Sequence, residues 1–135
     1  MKARWSLGIA ALALIGAGLA CSIRVTTAHI RAASLVRDPG GETRTLSFRP
    51  DDTFYLIVEL ANAPTDSEVR VVWVQVGAGE GGADRVVGED VVRSGSGTLV
   101  FSVEHPERQW RVGEYRAEVY LNGEQTHSLP FRVRF

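Results

Sequence analysis

Residues 113–135 read GEYRAEVYLNGEQTHSLPFRVRF. Apolar side chains recur along this segment with a period of two, the pattern of a strand with one buried face. Tyr115, Ala117, Val119 and Leu121 share a side over residues 114–121, and Leu129, Phe131, Val133 and Phe135 share one over residues 128–135. Between the two runs stand Asn122 and Gly123. Both residue types tolerate the positive φ that a type I′ turn needs at its two central positions, so the segment reads as a β-hairpin.

The same pattern continues towards the N-terminus. Residues 98–104 turn Leu99, Phe101 and Val103 inward, and residues 53–61 do the same with Phe54, Leu56, Val58 and Leu60. Residues 68–76 put Val69, Val71 and Trp73 on one face and Val72, Val74 and Val76 on the other. A weaker strand covers residues 85–93, and a first strand falls within residues 27–36. The punctuation between them is Asp38-Pro39-Gly40-Gly41, Asn62-Ala63-Pro64 and Ser94-Gly95-Ser96-Gly97. Residues 77–84 hold four glycines and read as a flexible loop, and residues 105–112 as a polar crossover. No long segment has helical spacing. Seven short strands with turn signals between them predict an all-β, two-sheet sandwich.

Two residues sharpen this prediction. Trp73 stands midway along the third strand, where immunoglobulin-like domains bury a Trp against the facing sheet. Tyr115 opens the sixth strand two residues after Gly113, and so resembles a tyrosine corner, whose phenol caps the preceding crossover. The chain has one Cys, so the resemblance is to the disulfide-free immunoglobulin-like or fibronectin-like sandwiches. Phe48 to Tyr55, Trp73, Ser96 to Phe101 and Trp110 to Gly123 resemble their counterparts in small bacterial envelope lipoproteins. In those proteins a single immunoglobulin-like domain follows an export signal. The resemblance implies architecture and location and no activity, because this fold carries many functions.

The other end of the chain reads as an address. Lys2 and Arg4 form a basic head, residues 5–20 carry no charge, and Gly18-Leu19-Ala20 leads into Cys21. That order is an export signal. The four residues ending in Cys21 resemble a bacterial lipobox, with Ala before Cys as usual and Gly18 where Leu is preferred. On that reading Cys21 becomes the lipidated first residue of the mature chain. Two alternatives stay open: ordinary cleavage of a secreted protein, or an uncleaved membrane anchor of near-minimal length. A lone Cys in an exported protein has no internal partner, which favours the lipid. The expected organisation is therefore a signal segment over residues 1–20, a tether over 21–27 and the sandwich over 28–135.

Loss of the signal removes Lys2 and Arg4 from the 15 basic residues and none of the 16 acidic ones, leaving a mature net charge of about −3. Mild acidity with mixed signs gives no reason to expect a nucleic-acid partner. Apart from Lys2, every basic residue is Arg.

Motifs for chemistry are sparse. His29, His105 and His127 have no metal-ligand spacing among them. Gly95-Ser96-Gly97 reads as a turn, not a nucleophile elbow, and residues 77–82 lack the following helix that a phosphate loop needs. Asp51-Asp52 after Pro50 reads as a turn that starts a strand. Glu89-Asp90 would need a second acid across a cleft to do glycosidase chemistry. Glu80, Asp84 and Glu89 match no calcium loop. No metal or cofactor is expected.

Recognition is left to the surface. Val72, Val74 and Val76 are unusual for a solvated sheet face, and with Tyr120 they form a candidate partner stripe, unless a loop or the N-terminal segment covers them. The residue 77–84 loop and the Asn122-Gly123 tip are further candidates. Trp110 either stacks on a sugar or protein partner or plugs the end of the sandwich, the latter being favoured. The sequence thus predicts a non-catalytic binding or structural module of the cell envelope. It would be held to the membrane by a lipid on Cys21 and would contact a protein or glycan. The alternative is a free, secreted ligand-binding or inhibitor domain.

Overall fold

A computed structural model describes residues 27–135. Alternation of apolar and polar residues drives each segment into a strand, and burial of the apolar faces brings two sheets together. The strands are β1 (His29–Val36), β2 (Ser47–Phe48), β3 (Phe54–Ala61), β4 (Ser67–Gln75), β5 (Arg85–Ser94), β6 (Gly97–Val103), β7 (Gly113–Leu121) and β8 (Glu124–Val133). One sheet has the order β1-β3-β6 and the other β2-β8-β7-β4-β5. All pairings are antiparallel except that of β2 with β8. The expected signal segment and most of the tether lie outside the described residues. Among the described residues, no helix is long and apolar enough to cross a membrane.

Among the described residues there are eight strands where seven were expected. The addition is β2, whose two residues pair in parallel with Arg132 and Val133. β8 also begins four residues before the expected start, because the two-residue turn at Asn122 (φ 50°) and Gly123 (φ 86°) brings Glu124 directly opposite Leu121. Phe135, expected on the inner face, lies past the end of β8 and is exposed.

The core sits between the sheets. Phe54, Leu56, Val58 and Leu60 of β3 meet Val69, Val71 and Trp73 of β4, Tyr115, Ala117 and Val119 of β7, and Phe101 of β6. Trp73 is 1% exposed, as its central position requires. Its indole N–H is buried without an acceptor among the described residues. Phe54 is the hub of the aromatic packing. Its ring stacks on Trp110 at 4.4 Å and meets Phe131 edge-on at 4.9 Å and Tyr115 at 5.5 Å.

Register gives the sandwich two distinct ends. His29, which opens β1, pairs with Ala61, and Leu60 pairs with Gly97. In the other sheet Val69 faces Leu121 beside the Asn122-Gly123 turn. The described chain therefore enters at this hairpin end. Residues 37–46, 49–53, 76–84 and 104–112 and the C-terminus gather at the opposite, loop end.

Candidate binding cleft

At the loop end, a cleft of about 340 Å³ opens between the start of β5, the end of β4 and the crossover after β6. It is lined by Gln75 of β4, by Arg85, Val86 and Val87 of β5, by His105, Pro106, Glu107, Trp110 and Arg111 of the crossover, and by Tyr115 of β7. Its size is at the lower end of the range for small-ligand pockets.

The crossover wall is held by local chemistry. Trp110 donates Nε1–H to the Asp52 carbonyl at 2.9 Å and its backbone N–H to the Pro50 carbonyl at 2.7 Å. It is 4% exposed. Trp110 thus plugs the end of the core and presents no face for stacking. Tyr115 donates its hydroxyl to the Arg111 carbonyl at 2.7 Å, closing the tyrosine corner. Burial pushes the Tyr115 phenol up from its ordinary pKa, so it stays a neutral donor. Nδ1 of His105 accepts the backbone N–H of Glu107 at 3.0 Å. An acceptor at Nδ1 puts the proton of the neutral ring on Nε2. The His105 ring meets Trp110 edge-on at 4.9 Å.

The β4 and β5 residues of the lining belong to one antiparallel ladder. Arg85 stands opposite Gln75 in the β4–β5 ladder. Gly88 lies close to the other sheet, since a Cβ there would be 2.7 Å from Cγ2 of Val103. The glycine-rich loop beside this ladder is tied down. Asp84 accepts the Gly77 N–H at 3.0 Å and a hydrogen bond from Arg116 Nη1 at 2.7 Å. Arg116, and then the Gly77 amide, hold the Asp84 carboxyl below its ordinary pKa. Residues 80–82 form a short 3-10 turn.

The candidate stripe on the outer sheet face needs correction. Val72 and Val74 are buried, Tyr120 is half-buried, and only Val76 is exposed, at 43%. The valines do not belong to the inter-sheet core; they are covered on the outer face. Register sets Val72 between Glu89 and Glu118 and Val74 between Val86 and Arg116. A polar chain runs around the pair. Arg70 contacts Glu89 at 3.4 Å and lies 4.3 Å over the Tyr120 ring. Tyr120 donates to Glu118 at 3.1 Å, and Arg116 bridges Glu118 at 2.8 Å and Asp84. The aliphatic stems of such residues cover apolar surface while their heads stay in water.

Other sequence candidates disperse. Cys21 lies outside the described residues. Asp52 accepts the Arg49 N–H at 2.7 Å, as expected of a turn. His29 bonds the Thr27 carbonyl and His127 bonds Thr126, away from His105. Among the described residues no three His, Cys, Asp or Glu side chains are grouped as metal ligands. The residue 77–84 loop and the Asn122-Gly123 tip stand at opposite ends. The sequence reading missed Arg85 and Arg111 altogether. Their only signal is topological, since three separate segments build the cleft.

No protein-family model and no curated protein matches the chain. Solved structures do. An immunoglobulin-like protein of Pseudomonas aeruginosa superposes with a TM-score of 0.54 at 15% identity, over 81% of this chain and 98% of its own. The fold is immunoglobulin-like. The alkylpurine DNA glycosylase AlkC of Pseudomonas fluorescens, solved bound to DNA containing an abasic site analog, matches with a TM-score of 0.54 at 18% identity. A β-glucosidase of Listeria innocua, solved with glucose, matches with a TM-score of 0.50 at 13% identity. The match spans 31% of the glycosylase and 16% of the glucosidase, so there the immunoglobulin-like unit is one part of a longer chain. At these identities the likeness is one of fold.

Proposed function

We propose that this chain is an exported, lipid-anchored, non-catalytic immunoglobulin-like module that binds a partner at the cell envelope through its loop end. The carrying observation is polarity: the described chain enters the sandwich at the hairpin end, and the cleft opens at the other. Seven residues separate Cys21 from β1, so a lipid there would hold the hairpin end within about 25 Å of the membrane, at up to 3.6 Å per residue. The cleft would then face away. The charges are in keeping with this. At the hairpin end, Arg31 and Arg93 are engaged by Glu59 and Glu68, while Asp66 and Glu124 form no ion pair among the described residues. Such an end has no attraction to anionic lipid and suits a tether as its hold on the membrane.

Phase partitioning in a non-ionic detergent tests this reading. The native protein is expected in the detergent phase, and the Cys21→Ser variant in the aqueous phase. Native protein found in the aqueous phase would instead support the free, secreted domain.

A further inference from the structure

We propose that the cleft binds a small ligand through an oxyanion, a carboxylate or phosphate group held between Arg85 and Arg111; this deepens the module reading and rests on it. Arg85, at the start of β5, and Arg111, in the crossover after β6, both line the cleft. Neither has an ion-pair partner among the described residues, whereas Arg31, Arg37, Arg70, Arg93, Arg108, Arg116 and Arg132 are all paired. Arginine's planar fork matches carboxylate and phosphate oxygens in pairs, and two unpaired forks lining one cleft favour an anionic group there.

Both side chains spring from fixed backbone. Arg85 is set by its ladder position opposite Gln75, and the Arg111 carbonyl is held by the Tyr115 hydroxyl. Binding therefore orders the side chains and not the chain, which lowers its entropic cost. His105 adds a third donor through Nε2–H, its other nitrogen being occupied by the Glu107 amide. Glu107 is the one carboxylate in the lining. It disfavours a polyanion filling the whole cleft and suits a ligand whose far side carries hydroxyl or ammonium groups. Val87, packed against the core, supplies apolar contact. Arg44, Arg49 and Arg134, the other guanidinium groups without an ion pair among the described residues, also lie at the loop end, where Asp38, Glu42, Asp51 and Glu80 offset them from outside the cleft lining.

Calorimetric titration of the detergent-solubilised full chain with citrate, inorganic phosphate and glucose tests the assignment. The expected result is saturable binding of at least one anion, weakening with added salt, and none of neutral glucose. Saturation by citrate alone identifies a carboxylate, and by phosphate alone a phosphate group. Arg85→Gln and Arg111→Gln should each weaken binding roughly tenfold or more, with unchanged near-ultraviolet circular dichroism as the folding control. Absence of saturation by either anion, or equal binding by the folded double variant, would overturn the proposal. An envelope partner retained equally by wild type and R85Q/R111Q would sink the oxyanion assignment and leave the module reading standing.

Discussion

The hydroxyl of Tyr115 donates a 2.7 Å hydrogen bond to the carbonyl oxygen of Arg111, four residues earlier in the chain. One bond therefore joins the stability of the sandwich to the geometry of the cleft. Tyr115→Phe keeps the ring packed on Phe131 and Phe54 and removes only that bond. Chemical denaturation should show a loss of ~1 kcal/mol, and ligand affinity at the cleft should fall as the Arg111 segment loosens.

Gly88 makes a sharper test of how closely the sheets approach. A methyl group there would stand 2.7 Å from Cγ2 of Val103 and 3.4 Å from Cδ1 of Trp73. Gly88→Ala should destabilise the domain by ~1–3 kcal/mol, as overpacking does. In a Val103→Ala background the same change should cost less, and a double-mutant cycle would read the coupling directly.

Val74→Lys separates a roofed valine from an exposed one. Val74 is 3% exposed and stands beside Arg116 in register. The substitution should cost roughly 2–3 kcal/mol in a denaturation experiment, by pushing a cation among the Arg70, Glu118 and Arg116 side chains. An unchanged midpoint would restore the open stripe that the sequence suggested.

Asp84 makes the glycine-rich loop sensitive to acid. Its carboxyl titrates below 3.8, its ordinary value, because Arg116 and then the Gly77 amide favour the charged form. A carboxyl depressed in the folded state stabilises it above the unfolded pKa, and that contribution is lost as pH falls through the folded value. The Gly77 amide resonance should therefore shift with a midpoint below pH 3.8, and Asp84→Asn should abolish the shift.

Much of the fold was legible because its signals are local. Asn122-Gly123 is a turn by its own backbone preferences, and Trp73 and Tyr115 declare a core and a corner from their places in alternating runs. β2 was not legible. Ser47–Phe48 is too short to show a period, and its parallel partner is remote in sequence. Val72 and Val74 show a different limit: a period of two assigns residues to faces but does not say what lies above a face. Here the answer was long charged side chains from β4, β5 and β7. The cleft was hidden for a related reason. Gln75, Arg85, His105 and Arg111 have no spacing in common, and only the joining of three segments at the loop end makes them neighbours.

The anchored-module account is tested most directly by the intact mass of the protein purified from its native membrane. The account predicts a chain that begins at Cys21 and carries the added mass of acyl groups on that residue. An unmodified Cys21, or a mature chain beginning elsewhere, would contradict it.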